Sequence, residues 1–216
     1  MSDYSRPFST GRFAAASAVL FGALLVLVRL RWGPLAALDR WGLARTHAYA
    51  VDHPAFVLVM KALSRVGSAP YYWVLVVGLV VWSAWRRAGG DAVFAVLAVG
   101  GGELLNLAAK SLVDRVRPVW PDPVATAGGL SFPSGHAQGA MVGYGVLVIL
   151  LAPALGTRWR RLLVAAAAMM VLAIGFSRVA LGVHYPTDVV GGYLLGATWL
   201  AALLAIVGRP GCHPAA

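Results

Sequence analysis

Residues 92–112, AVFAVLAVGGGELLNLAAKSL, decide the fold class. The run is almost wholly apolar and, as a helix, long enough to cross a bilayer core, which needs about 20 residues. Three of its four polar members, Glu103, Asn106 and Lys110, recur at helical spacing and share one face. Gly89-Gly90-Asp91 marks its start. Five further stretches have the same character: 13–30, 71–85, 136–151, 162–176 and 189–207. Those at 71–85, 136–151 and 162–176 are short as read and need their flanks to span. Ala152-Pro153 and Gly208-Arg209-Pro210 close two of them. Arg29 and Arg31 close the first where a cleavable signal would carry small residues, so it is read as a span. The expectation is an all-α integral membrane six-helix bundle.

Composition agrees. The chain is 60% hydrophobic and 12% charged, with a mean hydropathy of +0.76. That leaves too little polar surface for a soluble domain and excludes disorder, a disulfide scaffold and a coiled coil. The net charge of +10 is read as basic loops against anionic head groups rather than as a nucleic-acid footprint. Cys212 stands alone and forms no intramolecular disulfide, and no Cys/His pair has zinc-site spacing. There is no fixed-period repeat or low-complexity tract, so residues 1–216 are expected to form one domain. The segment 31–69 is expected to form one or two interfacial helices between the first two spans. Within it 54–63 is too short to span, and Pro54 suits a first helical position.

Six spans put both termini on one side. The short, densely charged loops Arg86-Arg87 and Arg158–Arg161 mark that side as cytoplasmic, although basic residues are numerous on both sides.

Three clusters fall at span ends on the opposite side. Lys110 is followed after six residues by Arg117-Pro118, and Pro133-Ser134-Gly135-His136 opens the fourth span. Ser177-Arg178 is followed after five residues by His184, and after three more by Asp188. Ionisable groups at membrane depth are costly and tend to pair or to line a polar cavity. Three cations and the free N–H groups of a helix start, at Ser134 and Gly135, suit a phosphate. Two histidines beside that phosphate supply a nucleophile and a general acid, and Asp188 can hold the His184 tautomer. With Lys110, Arg117 and Arg178 offsetting the phosphate charge, the chemistry needs no metal and no cofactor.

These three pieces, in this order and spacing, resemble the signature of the type 2 phosphatidic acid phosphatases, a superfamily that also contains the vanadium-dependent haloperoxidases. The resemblance covers roughly residues 92–207, with every signature position met. It implies a phosphohistidine intermediate and a site at the outer face of a bacterial cell membrane, with cytoplasmic termini. By matching position, it implies His184 as nucleophile, His136 as the acid that protonates the leaving oxygen, and Asp188 as partner of His184. Lys110, Arg117, Ser134, Gly135 and Arg178 are then the phosphate-binding set. The expected activity is hydrolysis of a lipid phosphomonoester or diphosphate: an isoprenoid diphosphate such as undecaprenyl diphosphate, phosphatidic acid or phosphatidylglycerol phosphate. The alternatives are a haloperoxidase, disfavoured because that branch is soluble, and a lipid-phosphate-binding scaffold or transporter, which would not require both histidines.

Other residues have simpler readings. Asp114 and Arg115 are expected to be loop charges, solvated or paired. Glu103 is read as an outer partner of the site or as facing a groove that admits lipid, with a structural hydrogen bond to Asn106 as an equal alternative. His47, His53 and His213 are expected at the surface, the tryptophans in an interfacial belt. Gly135, Gly139 and Gly143, and Gly192 and Gly196, are expected to mark close helix packing. Neither the particular lipid nor the oligomeric state is legible in the chain.

Overall fold

The computed structural model describes residues 6–208 and 210, and among these it contains helices and no strand. The helices are α1 (Arg6–Arg29), α2 (Gly33–Asp52), α3 (Pro54–Val66), α4 (Ala69–Trp85), α5 (Gly89–Val113), α6 (Gly135–Leu151), α7 (Thr157–Ala180) and α8 (Pro186–Val207). A short 3-10 turn, Ala152–Ala154, extends α6. His213 and Cys212 lie outside the described residues.

Five of the expected spans are single helices long and apolar enough to cross a membrane: α1, α5, α6, α7 and α8. The second is different. Helix α4 qualifies only together with α3, to which it is joined at a bend of 46°. The bend has local causes: Gly67 closes α3, and Pro70, in the first turn of α4, has no N–H to continue the ladder. Gly67 also sits against Ile174 of α7, where a side chain would collide. The segment 31–69 therefore holds two helices, as expected, but the second of them packs on α7 and continues into the span.

Helix α6 is the centre of the bundle and packs against α4, α5, α7 and α8. Its Ala140, Val142 and Val146 are buried among Val76 of α4, Phe94 and Ala98 of α5, Ile174 of α7 and Leu203 of α8. Helix α1 lies along α8. Large apolar side chains face outward from the spans, among them Val74, Leu104, Leu107, Met169 and Leu172. In water such a surface would drive aggregation; in hydrocarbon it needs no cover. The chain is a multi-pass membrane protein.

The two glycine rows serve different contacts. Gly139 and Gly143 of α6 receive the ring of Tyr72. Gly192 and Gly196 bring α8 against the backbone of α6: a Cβ at Gly192 would lie 2.5 Å from the Ser134 carbonyl oxygen. Backbone cannot yield as a flexible side chain can. Gly192→Ala is expected to lower stability by about 1–3 kcal/mol through overpacking, whereas Gly22→Ala, with nothing within 4 Å, does not lower it. Thermal unfolding of both variants in detergent checks this.

Candidate active site

The three sequence clusters meet at one end of the bundle, where α5 and α7 finish and α6 and α8 begin. Each motif spacing has a local structural reason. Lys110 lies in the last turn of α5, which Asp114 ends in the left-handed conformation (φ 52°), its N–H bonded to the Lys110 carbonyl. The chain then leaves toward Arg115 and Arg117. Ser134 is the N-cap of α6, so the first N–H groups after it have no partner within the helix. The Ser134 N–H itself donates to the Asp188 carbonyl (2.9 Å), tying the start of α6 to the start of α8.

Arg178 occupies the last turn of α7, and five residues form the tight return to His184. Gly182 adopts φ 71° there, with Trp120 and His47 crowding the place of a side chain. The N–H groups of Val183 and His184 both donate to the Arg178 carbonyl (3.2 and 3.3 Å). Pro186 opens α8, and Asp188 at its third position reaches back to accept the Tyr185 N–H at 2.8 Å. A carboxylate in that first turn also complements the helix dipole.

His184 is 1% exposed. Its Nδ1 faces Asp188 Oδ2 at 3.4 Å, and its Nε2 lies 2.8 Å from an Arg117 guanidinium nitrogen. A guanidinium only donates, so Nε2 carries the lone pair and Nδ1 the proton. The other Arg117 bonds run to the carbonyls of Val183, Gly128 and Gly129. Lys110 Nζ donates to the Leu130 carbonyl at 2.7 Å. Arg178 donates to Ser64 Oγ of α3, while its Nε and the Ser134 Oγ are buried without partners. His136 has Arg178, His184, Arg117 and Lys110 as its charged or titratable neighbours. All eight expected catalytic and phosphate-binding residues thus converge. Among the described residues no cluster of His, Cys, Asp and Glu suits a metal ion.

What sequence reading missed is the support beneath them. Arg115 is a loop charge and paired, as expected, but what it pairs with was not legible: its guanidinium bridges Asp188 and Asp39, each at 2.7 Å, and lies over the Tyr185 ring. Asp39, on α2, also accepts from the N–H and hydroxyl of Thr187 at 2.9 and 2.6 Å. Ser131 donates to Asp188 Oδ2 at 2.5 Å. The one available signal was that Asp39 is a lone carboxylate among the basic residues of 31–45. His47 is likewise buried, not at the surface, stacked on Trp120 at 3.7 Å, and the Trp120 indole N–H donates to the Gly182 carbonyl. His53 is exposed, as expected. The Nδ2 of Asn106 has no partner, so it does not donate to Glu103; both line a cavity beside His136.

A helical membrane bundle with cations, helix starts and a carboxylate-held imidazole at one end defines a phosphate-handling enzyme. Sequence comparison agrees: residues 91–211 match the PAP2 superfamily. The chain is 31% identical over 151 residues to phosphatidylglycerophosphatase B of Bacillus subtilis, covering 69% of this chain and 74% of that protein. It is 36% identical over 159 residues to decaprenylphosphoryl-5-phosphoribose phosphatase of Mycolicibacterium smegmatis, covering 69% and 78%. The crystal structure of a transmembrane PAP2 type phosphatidylglycerolphosphate phosphatase from Bacillus subtilis superposes with a TM-score of 0.82 at 25% identity, covering 90% of this chain and 95% of that one. The chain belongs to the PAP2 superfamily, and it is a membrane phosphatase.

Two outcomes follow from the buried network. Asp39→Ala leaves Arg115 and Thr187 without their shared acceptor and is expected to cost roughly 3 kcal/mol, read as unfolding in detergent. An unchanged midpoint would mean that Asp188 alone holds Arg115. Burial pushes the His184 imidazole down to about 4, with Asp188 opposing that shift. The ring is therefore neutral at every physiological pH. Because the folded value lies below the ordinary 6.5, its contribution to stability is complete above 6.5 and is lost as pH falls from there toward 4. An imidazole titration of the ligand-free protein by NMR should find the midpoint well below 6.5; one at or above 6.5 contradicts it.

Proposed function

We propose that the chain, as a single phosphatase domain, removes phosphate from a membrane lipid in two steps, with His184 as nucleophile. The observation that carries this is the oriented neutral imidazole: a lone pair on Nε2 turned into the cation cluster and a proton on Nδ1 turned to Asp188. An incoming phosphate takes the place of that lone pair's contact, and Arg117 passes to its equatorial oxygens with Lys110, Arg178 and the first N–H groups of α6. The buried, unpartnered Arg178 Nε and Ser134 Oγ supply two further donors of the kind a phosphate oxygen needs.

Nε2 attacks phosphorus, the bond to the leaving oxygen breaks, and His136 gives that oxygen a proton. Water, deprotonated by the same His136, then releases phosphate from His184. Asp188 keeps the ring oriented and offsets the positive charge it gains. The cations do what a metal ion would otherwise do.

The substrate is amphiphilic, because a site at helix ends lets the tail stay in lipid while the head reaches the cations. The relatives are named for glycerophosphate, phosphoribose and undecaprenyl-diphosphate lipids, which supports a phosphomonoester or a diphosphate of a membrane lipid as the reacting group. The site end lies opposite Arg86-Arg87 and Arg158–Arg161, and α1 begins and α8 finishes at that opposite end. By the positive-inside rule this favours cytoplasmic termini and a site at the outer face.

The test separates the histidines, with EDTA present throughout. His184→Ala is expected to abolish turnover and the acid-labile phosphoenzyme. His136→Ala is expected to lose far more rate on a lipid monoester than on an activated aryl phosphate, whose leaving group needs little protonation. Labelling that survives His184→Ala, or equal losses for His136→Ala on both substrates, contradicts the assignment.

A further inference from the structure

A cavity of about 330 Å³ opens beside His136, between α4, α5 and α6. Its apolar wall is Val99, Val142 and Tyr72. Its polar wall is Glu103, Asn106 and Gln138, none of which the hydrolysis uses. Asn106 and Gln138 are 6% and 2% exposed, and the amide nitrogen of each has no hydrogen-bond partner. Both residues line the cavity, and their amide donors, shielded from water and unpaired, carry a desolvation cost of about 1–3 kcal/mol each unless a ligand reached by a small side-chain rotation offsets it. Glu103, on the same wall, is exposed and offers acceptor oxygens.

The place of the cavity says what fills it. His136 lines the cavity and has the phosphate cations Arg178, Arg117 and Lys110 as charged neighbours, none of which lines it. If His136 protonates the leaving oxygen, the rest of the leaving group must lie beyond it. Resting on the reading of His136 as that acid, we infer that this cavity holds the leaving alcohol and selects one with free hydroxyl groups, a sugar or an unesterified polyol.

The chemistry matches such a group on both sides. A hydroxyl accepts from Asn106 and Gln138 and donates to Glu103. A fully acylated glycerol has ester oxygens that accept but no hydrogen to give Glu103. The departing phosphate of a prenyl diphosphate brings negative charge toward the Glu103 carboxylate. Buried polar groups left unpaired by the wrong substrate are a strong source of discrimination.

The experiment compares kcat/KM for a polyprenyl-phosphate-linked ribose 5-phosphate, phosphatidic acid and a polyprenyl diphosphate in mixed micelles. It uses the wild type, Gln138→Met and Glu103→Leu. The wild type is expected to favour the ribose substrate over phosphatidic acid by about tenfold or more, and each variant to reduce that ratio about tenfold, as expected for lost hydroxyl contacts. The ratio is taken within one preparation, so a smaller folded fraction cancels. A wild type that prefers phosphatidic acid or the diphosphate, or ratios in both variants within about twofold of wild type, would overturn the inference and leave the phosphatase reading standing. No phosphate release from any of the three by the wild type would overturn both.

Discussion

One guanidinium holds two carboxylates that lie far apart in the chain. Arg115 bridges Asp39 of α2 and Asp188 of α8, and both acids are essentially buried. Each removed member would strand charge in a low-dielectric interior, so the three stand or fall together. The Asp188 carboxylate faces His184, its carbonyl binds the Ser134 N–H, and its neighbour Thr187 is fastened to Asp39. The orientation of the imidazole, the start of α6 and the start of α8 are thus set by one network. Helix α2, which bears no part of the signature, is what closes it.

The second constraint is the membrane. Polar groups in hydrocarbon must find partners within the protein, so the chain gathers its chemistry where helices end. Helix ends are also where the backbone has donors to spare at N-termini and where cations are favoured at C-termini. The bundle supplies both kinds of end at one place: Lys110 and Arg178 close α5 and α7, while Ser134 and Asp188 open α6 and α8. The loop of residues 118–130 adds carbonyls from Gly128, Gly129 and Leu130 that position Arg117 and Lys110 without neutralising them.

Much of this was legible in the chain. Apolar runs give spans because the bilayer fixes their length. The five-residue and three-residue gaps around His184 are local, set by a helix end, a turn at Gly182 and a Pro-led helix start, so their meaning survives in sequence order. The eight residues proposed for the site could be singled out for that reason. The hidden features were contacts across distance. The fit of Gly67 against Ile174 of α7 and the burial of His47 against Trp120 are of this kind.

Local order alone therefore determined a helical membrane protein and the residue clusters that meet at one end of its bundle. Tertiary structure decided how they are held. Asp39 pairs with Arg115 across 76 positions and with Thr187 across 148, and nothing in a period or a motif encodes such a meeting. It also decided that Asn106 and Gln138, ordinary polar residues on two helices, line one cavity beside His136 with their amide nitrogens unpaired. Spacing along a helix tells which face a residue occupies; only the packing of another helix tells what that face meets.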